Sequence, residues 1–193
     1  MKVAIFIDYQ NLYKEAERKF KRNNISHIDP SKLSKVIVNK LPFDYQLDQI
    51  RIYTGIPNIN FDKESYLKTI QRFNKWSIDK KVIINSRTLI YPKYYDNKNN
   101  SNIKPREKGI DVLLAIDLVI LSFQKQFDAI VLFSLDTDLK PALEFVLNLN
   151  PPLKVFVSAW KVDKSPNKRL HIKNSHIPCI WLNENDFKQS LLS

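Results

Sequence analysis

A chain of 193 residues has the size of a single domain and can bury a substantial core. Its hydrophobic fraction of 44% and aromatic fraction of 11% exclude a disordered protein. Lys and Arg outnumber Asp and Glu by 31 to 20, and the net charge of +11 favours nucleic acid as the partner, with an anionic membrane surface second. A genome rich in A and T, which favours Lys and Asn codons, is the alternative explanation of this charge.

Short apolar runs alternate along the chain with longer helical patterns. The predicted strands are Val3–Ile7, Gln49–Tyr53, Val82–Asn85, Ala129–Phe133, Leu153–Val157 and Pro178–Leu182. The predicted helices are Gln10–Arg22, Pro30–Leu41, Lys63–Trp76, Ile110–Gln124, Leu139–Leu147 and Glu184–Leu191. This alternation predicts a three-layer α/β fold with a mostly parallel central sheet and helices on both faces. No repeat or boundary divides the chain, so we expect a single domain over residues 1–193.

No membrane or secretory segment is predicted. The longest apolar run, Ile110 to Phe123, is too short to span a bilayer and is interrupted by Asp111 and Asp117. Only five apolar residues separate Lys2 from Asp8, which is too few for a signal peptide. We therefore expect a soluble, cytoplasmic protein.

Carboxylates follow two of the predicted strands. Asp136 and Asp138 come just after the strand Ala129–Phe133, and Asp8 ends the first strand, with Asn11 one helical turn later. Ligands of open α/β sheets bind beyond the carboxyl ends of the strands. We therefore expect these side chains at one edge of the sheet, where acids in a basic protein indicate a cation site facing an anionic partner.

Two further aspartates lie in the apolar helix after Gly109. Asp117 sits in a segment that is hydrophobic nearly all round and is expected to be mostly buried. A buried carboxylate must be paired with Lys, Arg or a backbone N–H, or bind a metal. Asp111 lies in the first turn, where it can cap the helix. A separation of six positions places the two side chains about 120° apart around the helix axis, so only one of them need reach the site.

The residue types favour Mg²⁺ or Mn²⁺ as the cofactor. Carboxylate oxygens with open coordination positions suit these ions, which also bind substrate phosphates. The three histidines and the single Cys179 lack the spacing of a zinc site. With only Gly55 and Gly109, the chain contains neither a Walker loop nor a dinucleotide-binding fingerprint.

Two segments combine basic and aromatic residues: 87–108, which contains Tyr91, Tyr94 and Tyr95, and 161–173, which follows directly on Trp160. Basic side chains neutralise phosphates and aromatic rings stack on unpaired bases, a mixture that favours single-stranded nucleic acid. Solvated surface loops are the alternative. The predicted nucleic-acid-binding residues are Arg87, Tyr91, Lys104, Arg106, Lys108, Lys161, Lys168 and Arg169.

Three blocks resemble the NYN domain family, in that family's order and over roughly residues 1 to 160. The opening I-F-I-D-Y-Q-N-L, residues 5–12, resembles its D-x-x-N signature. K-G-I-D, residues 108–111, with Asp117 resembles its K-G-x-D helix. S-L-D-T-D-L-K-P, residues 134–141, resembles its S-G-D-S-D-F-x-P element.

The resemblance implies a PIN-like fold and a metal-dependent nuclease that acts mainly on RNA. It implies a metal site made by Asp8, Asp111, Asp117 and Asp136. It further implies that Asn11 orients a ligand or substrate phosphate and that Asp138 is an additional carboxylate near the site. Because PIN-like domains often pair, a homodimer is also expected.

Leu135 departs from the family pattern, which has glycine there. Our leading hypothesis is a metal-dependent endoribonuclease that hydrolyses RNA phosphodiester bonds. The alternative is a catalytically weak or inactive RNA-binding module of the same fold, with Leu135 as the lesion. A third hypothesis is a Toprim-like or phosphatase domain that uses Asp136 and Asp138. A Toprim domain requires glutamate after its first strand, where this chain has Asp8.

Overall fold

The computed structural model describes residues 1–21, 27–92, 105–149, 152–163 and 166–192. Within these ranges the chain forms six strands: β1 Lys2–Asp8, β2 Gln46–Ile56, β3 Val82–Thr88, β4 Ala129–Phe133, β5 Lys154–Trp160 and β6 Cys179–Leu182. The helices are α1 Tyr9–Phe20, α2 Pro30–Val38, α3 Lys63–Trp76, α4 Ile110–Phe123, α5 Lys140–Leu147 and α6 Glu184–Gln189. A 3₁₀ turn, Thr137–Leu139, precedes α5. Every strand and helix predicted from the sequence is present, with shifts at the ends.

The six strands form one sheet in the order β3-β2-β1-β4-β5-β6, and all neighbouring pairs are parallel. The predicted α/β class is confirmed. The strand order reverses beside β1, which pairs with β2 on one side and with β4 on the other. Such a switch point opens a crevice at the carboxyl ends of the strands, because the two following connections leave in opposite directions.

Helices cover both faces of the sheet. One apolar core joins the sheet to α1, α2, α3 and α6, and a second core joins it to α4 and α5. The central strands β1 and β4 contribute to both cores, which explains their continuous apolar sequences. Trp160 is buried in the first core, where its indole N–H donates to the carbonyl of Leu12 at 3.0 Å. Its ring is therefore not available beside the basic segment 161–173.

Aspartates begin several of the helices. Asp8 caps α1 through the backbone N–H of Asn11. Asp29 caps α2 by accepting from the N–H groups of Ser31 and Lys32, with Pro30 as the first helical residue, as predicted. None of the helices in the described ranges is long and apolar enough to cross a membrane.

Helix α4 is less buried than its sequence predicts. Ile110, Leu114 and Leu118 face the core and are at most 2% exposed. Its outer side chains are 46–65% exposed, namely those of Val112, Ile116, Ile120 and Phe123. The prediction of a mostly buried helix was wrong, because the sheet and α5 cover only part of a helix that is apolar nearly all round.

Candidate active site

A cavity of about 640 Å³ opens at the carboxyl ends of the central strands. It lies at the switch point, since β1 ends in Asp8 and Asp136 follows β4. Five of its eleven lining residues are acidic and only two are basic, although the protein carries a net charge of +11. The lining residues are Asp8, Gln10, Asn11, Lys14, Glu15, Pro105, Arg106, Glu107, Ile110, Asp111 and Asp136.

Hydrogen bonds join the ends of β1 and β4 into one unit. The Ser134 hydroxyl donates to Asp8 Oδ2 at 3.0 Å and accepts from the backbone N–H of Asp136 at 3.0 Å. Asn11 Oδ1 accepts from the backbone N–H of Leu135, also at 3.0 Å. Ser134 is fully buried. The buried Ser134 hydroxyl thus links the Asp8 carboxylate to the backbone of Asp136 by two hydrogen bonds.

The Asp8 carboxyl group has an unusual protonation equilibrium. Burial raises its pKa from 3.8 to about 6, and the nearby charges of Asp136 and Asp111 act in the same direction. Hydrogen bonds from the Asn11 backbone and the Ser134 hydroxyl partly oppose this rise. A carboxylate that is desolvated and faces like charges favours a positively charged partner.

Glu107 is a cavity residue that the sequence analysis missed. The backbone N–H of Gly55 on β2 donates to its Oε1 at 2.6 Å. Burial raises the Glu107 pKa, and the charges of Asp8 and Asp111 add to the effect. Its position depends on Gly55, because a Cβ there would lie 2.8 Å from Glu107 Cγ and would also strike the side chain of Leu89. The only signal in the sequence is its place directly before the K-G-I-D block.

The two aspartates of α4 have different surroundings. Asp111 lies in the first turn and lines the cavity. Asp117 is not among the lining residues. Its Oδ2 accepts from Arg51 Nη2 at 2.9 Å and from the Tyr53 hydroxyl at 2.8 Å, both on β2. The structure therefore does not bring Asp117 into the acidic group, and the arginine-paired alternative considered for it describes its environment.

Asp138 also stands apart from the cavity lining. It is exposed, and its backbone N–H donates to Asp136 Oδ1 at 2.9 Å. Asp136 is thereby the capping residue of the 3₁₀ turn. The side chain of Asp136, rather than that of Asp138, borders the cavity.

Leu135 fits its position without backbone strain. The non-glycine residues of the described ranges that have positive φ are Lys21, Lys125 and Asn174. Leu135 therefore has a backbone conformation open to any L-residue, and its N–H takes part in the bond to Asn11. The structure gives no sign that leucine distorts the site.

The predicted nucleic-acid-binding residues are dispersed. Arg106 lines the cavity and its backbone pairs with Ile90, whereas Lys108, Arg87 and Lys168 are outside the lining. Tyr91 stacks on Phe61 with ring centroids 4.8 Å apart. Lys104 lies outside the described residues.

The other two predicted residues belong to the far end of the sheet. Lys161 borders a second cavity of about 490 Å³ with Trp181 and Asn183. Arg169 Nη1 donates to the carbonyl of Ile177 at 2.9 Å, a bond that braces the connection between β5 and β6. Lys14, which was not predicted, borders the acidic cavity and donates to Gln10 Oε1 at 2.8 Å.

The donor set limits what kind of metal could bind. Among the described residues, no three side chains of His, Cys, Asp or Glu stand close enough to enclose an ion. A dedicated protein cage of the zinc or calcium type is therefore not present in that part of the chain. Mg²⁺ usually keeps several waters and takes one or two carboxylates plus substrate phosphates. The oxygen donors Asp8, Asp111 and Asp136 fit such a hydrated ion.

Comparison with known proteins places this architecture in a family. The model of the NYN domain matches residues 2–171, which is most of the chain. The chain belongs to the NYN domain family. NYN domains have, in general, a nuclease fold. The family match begins in β1 and includes β4 and the whole cavity lining, so the acidic cavity belongs to the NYN domain proper.

One solved structure similar to this NYN domain is a protein of unknown function from Vibrio parahaemolyticus. The two chains are 19% identical, with 81% of this chain and 80% of the other covered and a TM-score of 0.46. No curated protein matches the sequence significantly.

Proposed function

We propose that this NYN domain is a metal-dependent endoribonuclease whose active site is the acidic cavity. The observation that carries the proposal is the meeting of Asp8, Asp111 and Asp136 at the switch point of the sheet. These carboxylates come from three separate elements of a protein with an excess of 11 positive charges. Folding alone gives no reason to gather acids there, since their mutual repulsion costs stability.

Asp8, Asp136 and Asp111 would bind a hydrated Mg²⁺ or Mn²⁺ in the cavity, with one or two of the carboxylates as direct ligands and the remainder acting through coordinated water. The bound ion would offset the repulsion between the acids and a phosphodiester, stabilise charge on the phosphate oxygens and lower the pKa of a coordinated water. Asp117 is left out of this set, because its carboxylate is already paired with the Arg51 guanidinium and accepts a hydrogen bond from the Tyr53 hydroxyl.

The chain's own residues fix the orientation of these donors. The bonds from the Asn11 backbone and the Ser134 hydroxyl hold Asp8 in one conformation, so its oxygens need little reorganisation when charge develops on the substrate. The amide of Asn11 borders the cavity, and we assign it the role of orienting a phosphate. Lys14 and Arg106 are the cations that line the same cavity and would pair with phosphates next to the scissile one.

Single-stranded RNA is the substrate that these surroundings support. Tyr91 and Phe61 stack beside Ile90, whose backbone pairs with Arg106 at the cavity wall. An aromatic pair at this place can take up an unpaired base, while Arg87 and Lys108 attract the backbone. Lys161 and Lys168 would extend the path toward β6.

The proposal is tested by cleavage of an end-labelled single-stranded RNA with Mg²⁺, Mn²⁺ or EDTA. The Asp136→Asn variant removes a donor that lines the cavity, and Asp138→Asn is its matched control two residues away on an exposed side chain. We expect metal-dependent cleavage that is lost in Asp136→Asn and kept in Asp138→Asn. Equal cleavage by the wild type and Asp136→Asn would indicate a contaminant and contradict the proposal. Salt-sensitive binding without any cleavage would support the RNA-binding module instead.

A further inference from the structure

The second cavity, of about 490 Å³, opens at the carboxyl ends of β5 and β6 and is separate from the acidic cavity. Trp181 of β6 forms part of its wall, together with Lys161 and Asp163 from the segment that follows β5. The cavity therefore brings an aromatic ring, a cation and a carboxylate to one place. Proteins use these kinds of group to stack on an unpaired base and to read its edge.

Packing does not explain the position of Trp181. The other two tryptophans, Trp76 and Trp160, are 2% exposed and lie in the first core. Ile180 and Leu182 also belong to that core, so the ring of Trp181 between them lies on the opposite face of the edge strand. Trp181 is partly exposed and belongs to neither core of the described structure. Its ring is therefore available to stack on a ligand.

Backbone contacts hold the polar wall of the cavity in place. The N–H of Lys161 donates to the carbonyl of Leu182 at 2.7 Å, which fixes Lys161 beside the end of β6. The side chain of Asn167 accepts from the N–H of Val162 at 3.0 Å and donates to its carbonyl at 3.1 Å. These bonds brace the turn that carries Asp163, so little ordering is required when a ligand binds.

The charged side chains of the wall are open to a ligand. Lys161 and Asp163 are exposed, and no hydrogen bond or ion pair within the described part of the chain occupies either side chain. Glu184, the other acid of the wall, is paired with Lys188 at 3.3 Å. Asp163 is thus the carboxylate that can accept hydrogen bonds from a bound group.

Guanine is the base that matches this wall. Its N1–H and N2 amine are adjacent donors, which one carboxylate accepts together, and its O6 and N7 are acceptors that a lysine contacts. Adenine and cytosine present a single amine beside a ring nitrogen that accepts, and uracil has one N–H between two carbonyls. Each of those acceptors would repel the carboxylate of Asp163.

The two cavities lie at the same level of the sheet. Phe133 of β4 pairs with Ser158 of β5, and Asp136 and Lys161 each come three residues after that pair. The β1–β4 and β5–β6 junctions are two strand spacings apart, which is about 10 Å. A few nucleotides of extended single strand cover this distance, so one RNA molecule can occupy both cavities.

From these features we propose that the second cavity binds a guanine base of single-stranded RNA. Trp181 stacks on the base, Asp163 accepts from N1–H and the N2 amine, and Lys161 donates to O6. The inference rests on the proposed RNA substrate and gives it a sequence preference, with cleavage at a fixed short distance from a guanine. A basic peptide is the other ligand that an indole and a carboxylate attract, but Lys161 and the net charge of +11 oppose it.

Tryptophan fluorescence tests this binding without any cleavage. Because Trp76 and Trp160 are buried, quenching of the emission by a base reports on Trp181. In EDTA, a uridine heptamer with one central guanosine should quench the emission. It should bind about tenfold more tightly than the same heptamer with inosine or adenosine at that position. Inosine lacks the N2 amine, and adenosine has an acceptor at N1.

Two variants and a matched control connect this preference to the cavity. Asp163→Asn should lose most of the preference for guanosine over inosine, and Trp181→Ala should bind all the heptamers more weakly. Asp44→Asn removes an exposed carboxylate just before β2, at the opposite edge of the sheet, and should keep the preference. Fluorescence anisotropy of labelled heptamers gives the affinities, and circular dichroism verifies that each variant is folded.

The outcomes separate this inference from the proposed nuclease. Equal affinity for the guanosine, inosine and adenosine heptamers would overturn the guanine site, as would quenching by an oligoarginine peptide and by none of the heptamers. Metal-dependent RNA cleavage without any dependence on the position of guanine would also overturn it and would keep the nuclease. Guanine-selective quenching in a protein that cleaves no RNA would support the guanine site and contradict the nuclease.

Discussion

The backbone N–H of Gly55 donates to Glu107 Oε1 over 2.6 Å, and this bond requires that residue 55 has no side chain. The contact joins β2 to the segment that leads into α4. It fixes one oxygen of an acid that lines the active-site cavity. A glycine on β2, far in sequence from every acidic residue of the cavity, is therefore part of how the site is built.

Gly55→Ala should displace Glu107 and destabilise the protein. The added methyl group would meet Glu107 and Leu89 at distances that force one of them to move, and overpacking of this kind costs about 1–3 kcal/mol. Urea unfolding measures the loss. Glu107→Ala combined with Gly55→Ala should recover only part of it, because the contact with Leu89 remains. Wild-type stability in Gly55→Ala would contradict the packing described here.

Asp8→Asn should stabilise the protein in a manner that depends on pH. The Asp8 pKa is about 6 in the folded protein against 3.8 as a reference, so the folded state holds its proton more tightly than the unfolded state. The stability that the protonated Asp8 carboxyl contributes is fully present below pH 3.8 and is lost as the pH rises through 6. Asn resembles the protonated form, so the variant should gain up to about 3 kcal/mol at a pH of about 7.5 and almost nothing at a pH of about 4.

Thermal unfolding of both proteins in EDTA across this pH range measures the effect of Asp8→Asn. Added Mg²⁺ or Mn²⁺ should then raise the melting temperature of the wild type more than that of the variant, because a cation relieves the cost of the charge. A stability difference that does not change with pH would contradict the pKa assigned to Asp8.

Asp117→Asn should lower the stability of the folded protein. The change removes the negative charge of the carboxylate to which Arg51 Nη2 and the Tyr53 hydroxyl both donate. It leaves the largely buried Arg51 guanidinium without its counter-charge. We expect a loss of about 2 kcal/mol in urea unfolding. Glu64→Gln is a suitable comparison, since Glu64 and Lys68 form an exposed pair whose loss should have little effect on stability. Similar losses in both variants would contradict the structural role of Asp117.

Leu135→Gly should restore the family's residue without improving function. Because Leu135 does not have positive φ, there is no backbone strain for glycine to relieve. Glycine would instead increase the conformational entropy of the unfolded chain. We expect unfolding to become easier by about 0.5–1 kcal/mol and the rate of RNA cleavage to stay the same. A marked rise in cleavage would show that leucine had impaired the site.

Sequence reasoning succeeded where simple geometry links residues. Parallel strands bring their carboxyl ends to one edge, so the proximity of Asp8 and Asp136 follows from the strand pattern alone. Periodicity gave the helices, and α3 was predicted with its observed ends. Asp111 lies in the first turn of α4 as predicted, but the sequence left open whether Asp111 or Asp117 would reach the site.

The remaining features depend on tertiary contacts that periodicity does not encode. Asp117 is paired because the rotation of α4 on the sheet brings it over Arg51, and nothing in the sequence specified that rotation. Ser134 and Glu107 each act through a hydrogen bond to a residue more than 50 positions away in the sequence. The exposed face of α4 could not be foreseen, since an apolar helix has the same pattern whether its own fold or a partner covers it.

The most direct measurement compares RNA cleavage by Asp111→Asn and Asp117→Asn, two variants that make the same chemical change on one helix. We predict that Asp111→Asn lowers the metal-dependent rate by about 100-fold or more, because it removes a donor to an ion that stabilises the reacting phosphate. Folded Asp117→Asn should cleave at close to the wild-type rate. Full activity in Asp111→Asn, with activity lost in folded Asp117→Asn, would contradict the active site described here.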